Sequence, residues 1–117
     1  MKAVVTGGAG FIGSHLTELL SSEKFDVHVI DNFRSGYKKN LHGIKNVKLH
    51  EGSITDPDLV NEVIKDSKYV FNLAALVSVP ESIEQPDECI QINVTGLLNI
   101  LEASKIHNVE KVIHAST

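Results

Sequence analysis

The stretch Val4-Val5-Thr6-Gly7-Gly8-Ala9-Gly10-Phe11-Ile12-Gly13 decides the fold. Upstream, Lys2–Thr6 is a short apolar run with strand character, and it stops at Gly7-Gly8. From Phe11 the apolar spacing turns helical, and Phe11, Ile12, Leu16, Leu19 and Leu20 are expected to form the buried face of a first helix. Between strand and helix, Gly7, Gly10 and Gly13 follow the pattern G-x-x-G-x-x-G. Gly7 permits a tight turn out of the strand. Gly10 removes the Cβ that would keep backbone away from a pyrophosphate, and Gly13 lets the helix pack close to the sheet. The helix start then offers N–H groups and a positive dipole end to phosphate. A turn needs glycine in any case. What lifts this one to a dinucleotide-binding signal is the strand before it and the helix after it.

The pattern continues outward. Phe25–Ile30 reads as a second strand rich in β-branched residues, and the polar run Asp31–Asn40 as a loop. Val47–Glu51 is a third strand. Asp56 then makes a good N-cap, Pro57 suits the first helical position and Asp58 favours the positive helix end; Leu59, Val60, Val63 and Ile64 supply that helix's buried face. Tyr69–Leu73 is a fourth strand. After Pro86 one long helix is expected to run to about His107, with Ile90, Val94, Leu97, Leu98 and Leu101 as its core stripe, and Lys111–Ala115 is a fifth strand. Strands alternating with helices predict an α/β fold, a doubly wound parallel sheet of Rossmann type covered on both faces with strand order 3-2-1-4-5. The fifth strand is expected at an exposed edge, open to pairing.

Asp31 stands at the end of strand two, 18 residues after Gly13. An acid there accepts hydrogen bonds from adenosine ribose hydroxyls and repels the extra phosphate of NADP. The plainer alternative is a turn-forming Asp at a loop start. Arg34 is a counter-signal, because a nearby arginine can hold a 2′-phosphate. Asp31 comes first on the loop, so NAD is favoured over NADP.

Composition excludes other classes. With 117 residues and 42% apolar content the chain is one globular unit at most. A net charge of −4 without a basic cluster argues against nucleic acid. The most apolar run, Tyr69–Val79, is about half of what a membrane span needs. The start lacks signal-peptide architecture, and the lone Cys89 suits a reducing compartment, so the cytoplasm is the expected location. The six histidines have no metal-ligand spacing, and no metal is expected.

These segments resemble the extended short-chain dehydrogenase/reductase family, the NAD-dependent nucleotide-sugar epimerases and dehydratases. Thr6–His15 resembles the family's opening signature, and Asp31-Asn32-Phe33-Arg34-Ser35-Gly36 its ribose loop. Asn72-Leu73-Ala74-Ala75 resembles the end of its fourth strand, Ser78–Ser82 the loop that follows in UDP-sugar 4-epimerases, and Asn93–Ala103 its long helix. His114–Thr117 looks like the start of the segment carrying a catalytic Ser or Thr.

By position, the resemblance implies that Phe11 and Ile12 give amides to the pyrophosphate, and that Asp31, Asn32, Ser35 and Gly36 surround the ribose. Ser53 and Ile54 would flank the adenine, Leu73, Ala74 and Ala75 line the nicotinamide side, Asn93 hold the strand-four region, and Thr117 polarise the substrate. It further implies NAD as cofactor, a nucleotide-diphosphate sugar as substrate and a homodimer as the assembly of the parent enzyme. Three positions depart from the pattern. Ser53 stands where Asp is frequent, Asn72 where His is common, and Val77 where galactose-type epimerases often carry Lys.

The family's chemistry uses a Tyr-x-x-x-Lys pair, in which the lysine lowers the tyrosine pKa so that it can take a sugar hydroxyl proton while the C4 hydride moves to NAD. Four residues beyond Tyr37 and Tyr69 lie Leu41 and Leu73, so neither makes the pair. The chain is therefore expected to be the NAD-binding N-terminal portion of such an enzyme, inactive by itself, without the catalytic helix and substrate domain. A dehydratase or decarboxylase of the same family shares every motif quoted, and a non-catalytic NAD-binding module is the rival from another class.

Overall fold

The computed structural model describes residues 1–76 and 78–116. Five parallel strands, β1 (Lys2–Thr6), β2 (Asp26–Asp31), β3 (Val47–Glu51), β4 (Tyr69–Asn72) and β5 (Lys111–His114), form one sheet in the order β3-β2-β1-β4-β5. β1 is central because it is apolar on both sides, as a strand covered on two faces must be. Val4 joins Ile30, Val70 and residues of α2 (Pro57–Ile64) in one core cluster, while Ala3 and Val5 join Val27, Val29 and Leu20 of α1 (Phe11–Ser22) in the other. α2 is capped as its sequence requires, the Asp56 carboxylate accepting from the amides of Asp58 and Leu59.

Two helices differ from expectation. On α1 the buried residues are Gly13, Ser14, Thr17 and Leu20, and Phe11, Ile12 and Leu19 are exposed. The helix lies so close to the glycine turn that a Cβ on Gly13 would sit 2.1 Å from the Gly7 carbonyl oxygen, so only small side chains fit the contact face. The long helix is divided into α4 (Pro86–Ile90), a π-helical turn Gln91–Thr95 and α5 (Gly96–Ile106), and a short α3 (Val79–Glu84) precedes it. Its buried positions are Gly96, Ile100, Ala103 and Ser104, whereas Ile90, Val94, Leu98 and Leu101 face outward. A wider π turn rotates the helix face by adding a residue to the turn, and it carries Asn93 inward (below). Gly96 lets α5 close on the core, since a Cβ there would meet the Ile54 side chain at 2.5 Å. β5 lies at a sheet edge with Ile113 exposed. Among the described residues no helix is long and apolar enough to cross a membrane.

Candidate functional site

The site lies at the carboxyl ends of β1, β2 and β4, where the chain leaves β1 toward β2 on one side and the β4 pairing begins on the other, the switch point at which open α/β sheets bind ligands. Gly7 adopts φ +70°, and its missing Cβ leaves room for the Leu73–Ala74 backbone at about 3.0 Å. Gly10 is different. A Cβ there would meet only the Gly7 oxygen, at 3.3 Å, so nothing in the described protein requires glycine by contact. Its open side adjoins the start of α1, where no side chain caps the helix and the first turn holds no acid. The amides of Phe11 and Ile12 belong to that uncapped turn, which favours an anion.

The loop that begins at Asp31 folds over the same turn. Asp31, 8% exposed, accepts from the Ala9 amide at Oδ2 (2.9 Å) and from the Phe33 amide at Oδ1 (2.7 Å). A carboxylate has about four acceptor sites, so two stay available to hydroxyl donors. Asn32 and Ser35 are exposed, and Asn32 Oδ1 accepts from the Arg34 amide (3.0 Å). Gly36 is buried; a Cβ there would strike the Ala9 carbonyl at 2.7 Å. Tyr37 and Asn40 both donate to the Ala9 oxygen, at 3.1 and 2.8 Å. Arg34 points away from the loop to Glu81 (3.2 Å) and Glu88 on α3 and α4.

Just after β3, half-buried Ser53 shares its hydroxyl with Thr55 Oγ1 (2.8 Å) and accepts from the Thr55 amide (3.1 Å). The Ile54 side chain is 3% exposed and taken up by the core, so it presents no surface of its own to a ligand. On the other side Leu73 and Ala74 are half-buried and Ala75 is exposed.

One arrangement escaped sequence reasoning, and another gives a position implied by the resemblance its partner. The buried Thr6 hydroxyl donates to Asn72 Oδ1 (2.5 Å) and accepts from the amides of Leu73 and Ala74, each at 3.1 Å, while Asn72 Nδ2 meets His114 Nδ1 (3.1 Å). In sequence Thr6 only ends an apolar strand run, and its partners lie 66 to 68 residues away. Asn93 has both halves of its amide engaged with Leu76, Oδ1 accepting from the Leu76 amide (2.8 Å) and Nδ2 donating to its carbonyl (3.1 Å), with a further contact to Cys89 Sγ (3.4 Å). It holds the segment beyond β4 from the π turn. Thr117 and Val77 lie outside the described residues.

Elsewhere His15 bonds the Phe11 carbonyl through Nδ1 (2.7 Å) on the exposed side of α1. Among the described residues no group of three or more His, Cys, Asp or Glu could hold a metal ion. A groove of about 490 Å³ between the end of α1 and the 40–46 segment, lined among others by Glu18, Lys24 and Lys45, shares only Asn40 with the residues described above.

The family model described as GDP-mannose 4,6 dehydratase matches residues 4–117. A putative UDP-glucose 4-epimerase of Methanocaldococcus jannaschii is 37% identical over 115 residues, which cover 97% of this chain and 37% of the relative. A UDP-N-acetyl-alpha-D-glucosaminuronate decarboxylase of Bacillus cytotoxicus is 40% identical over 119 residues, 99% of this chain and 36% of its own length. Among solved structures, the UDP-glucose 4-epimerase of Thermus thermophilus in complex with NAD superposes with a TM-score of 0.90 at 38% identity, over 100% of this chain and 38% of that one. The chain thus spans little more than a third of the length of these relatives. The glycine turn, the Asp31 loop and the sheet order agree with this match along nearly the whole chain, which belongs to the family of nucleotide-sugar epimerases and dehydratases described as GDP-mannose 4,6 dehydratase.

Proposed function

We propose that these 117 residues form the NAD-binding unit of a nucleotide-sugar 4-epimerase, an enzyme of UDP-glucose or UDP-N-acetylglucosamine type. One observation carries the reading: the Asp31 carboxylate is fixed to the Ala9 amide beside a Gly10 whose missing Cβ has little inside the protein to avoid. Gly10 and the uncapped start of α1, with the amides of Phe11 and Ile12, would hold the pyrophosphate. Gly7 and Gly13 would keep turn and helix close. Asp31, Asn32, Ser35 and Gly36 would enclose the ribose, Ser53 and the Ile54 backbone would border the adenine, and Leu73, Ala74 and Ala75 would face the nicotinamide end. Asn93 acts one step removed, as a positioning residue that sets the Leu76 backbone. NAD, when bound, supplies the acceptor and donor of the sugar's hydride.

The proton chemistry in this reading falls to a Tyr-x-x-x-Lys pair and a sugar-binding domain that these residues do not include, with Thr117 as a substrate-polarising hydroxyl. The residues here by themselves would therefore bind cofactor without turnover, since a positioned acid–base group alone contributes about a hundred- to ten-thousand-fold. The decarboxylase relative, at 40% identity, keeps a dehydratase or decarboxylase as the second reading. For the assembly we infer a homodimer through the outward stripe Ile90, Val94, Leu98 and Leu101, each between 46% and 60% exposed on one side of α4–α5. The compartment is the cytoplasm, where the single Cys89 stays reduced.

Calorimetric titration with NAD tests the reading. Saturable one-to-one binding that weakens in Asp31→Ala supports it; no heat with the correctly folded protein overturns it.

A further inference from the structure

By sequence Arg34 is the residue that could admit a 2′-phosphorylated dinucleotide; in the fold it is already engaged. Its Nη2 donates to Glu81 Oε2 (3.2 Å) and its Nη1 to Glu88 Oε1, so both ends of the guanidinium fork carry a carboxylate. These partners lie 47 and 54 residues further along the chain, on α3 and α4. The loop does not leave Arg34 free to swing back as a unit. Asp31 Oδ1 holds the Phe33 amide, Asn32 Oδ1 holds the Arg34 amide, and Gly36 is pressed on the Ala9–Gly10 backbone. Two carboxylates thus engage one guanidinium, while Asp31 is held by the Ala9 and Phe33 amides of the loop itself. A 2′-phosphate brings close to two further negative charges and needs a free bidentate donor.

We propose that Glu81 and Glu88 are cofactor-selecting residues: by occupying Arg34 they make the ribose end refuse NADP, reinforcing Asp31 from a different part of the chain. The inference rests on the NAD reading above. It assigns a selecting role to a pair of acids outside the ribose loop.

The test is a titration of NAD and NADP, at low salt, into the wild-type protein, E81Q/E88Q, each single variant, and R34A/E81Q/E88Q. Both glutamates are substantially exposed, 49% and 39% at their side chains, so the Gln variants should retain the wild-type melting temperature. The double variant is expected to bind NADP about tenfold tighter, the scale of removing exposed like charges near a ligand, with NAD affinity within about threefold of wild type. The singles should fall between, and the gain should vanish in the triple variant. Unchanged NADP affinity in the double variant, with NAD binding intact, overturns the proposal. A gain that survives loss of Arg34 overturns its release as the cause. A folded wild type that binds no NAD overturns the cofactor reading itself, and this proposal with it.

Discussion

The Asp31 carboxylate stands 2.9 Å from the Ala9 amide, so the acid that ends β2 also fastens the turn that ends β1. Ligand recognition and local architecture are thereby joined in one side chain, and the first prediction separates them. Asp31→Ala should lower stability by about 2–3 kcal/mol, because it strands two amides that bond a charged acceptor, and should weaken NAD at least about tenfold. Denaturant midpoints give the first quantity and calorimetry the second. An unchanged dissociation constant would refute the ribose assignment.

Gly10 and Gly13 should respond to alanine in opposite ways. Gly13→Ala places a methyl 2.1 Å from the Gly7 oxygen and 2.8 Å from Gly8 Cα, so it should cost about 1–3 kcal/mol or more of stability. Gly10→Ala meets a single atom at 3.3 Å and should fold nearly as the wild type, yet lose NAD affinity. Equal melting temperatures for the two variants would count against this division.

Asn93→Ala should remove the clamp on the segment after β4. It leaves the Leu76 amide and carbonyl without their partner, at a cost of about 1–3 kcal/mol, and should speed hydrogen exchange at Leu76 above all. Exchange that quickens uniformly, or not at all, would show that the clamp does not act locally.

A pair of histidines sets an acid limit. His28 Nδ1 and His50 Nε2 lie 2.9 Å apart between β2 and β3, and His28 Nε2 lies 3.2 Å from Asp26. Burial pushes both pKa values below the usual 6.5; Asp26 opposes the shift at His28, and the neighbouring His28 and Lys48 add to it at His50. Groups harder to protonate when folded stabilise the protein fully above the unfolded value, and that contribution is lost as pH falls below about 6.5 toward the lowered folded values. Urea midpoints should therefore decline between roughly pH 7 and 5, with a shallower decline in H28Q/H50Q. Identical pH profiles would remove the pair from the account.

Leu98→Glu, on the outward stripe, should dissociate the inferred dimer without unfolding the chain, since Leu98 is 52% exposed. Sedimentation velocity reads the change; a wild type that sediments as a monomer at high concentration refutes the interface.

Much of this was legible in the sequence because it is local. The strand alternation, the Asp56-Pro57 helix start and the glycine spacing all act within a few residues, and sheet order followed from general rules of chirality and crossover. On α1 Leu16 and Leu20 face the core as their spacing predicts, while Phe11, Ile12 and Leu19, like Ile90, Val94, Leu98 and Leu101 on α4–α5, do not, and for one reason. Close helix contacts select small residues such as Gly13, Ser14, Gly96 and Ser104, so these larger apolar residues lie on the other side, where a helical-period rule takes them for core. The partners of Arg34 and Thr6 lay beyond reach in another way, whereas the resemblance already placed Asn93 against the strand-four region. Each bond joins separate elements, and the Arg34 and Thr6 bonds span 47 residues or more, so they exist only once the sheet has assembled.

Thr6 shows what that assembly achieves. Its hydroxyl, tied to Asn72, Leu73 and Ala74 at once, pins the fork at which β1 and β4 part company. A crevice braced from within keeps its width when empty. The arriving dinucleotide then finds walls already set, and little ordering of the protein remains to be subtracted from its affinity. Mutating the pin to valine would preserve bulk while leaving the Ala74 amide and the Asn72 side-chain oxygen without this partner, the Leu73 amide keeping its bond to the residue 6 carbonyl, and would turn a rigid slot into a more compliant one.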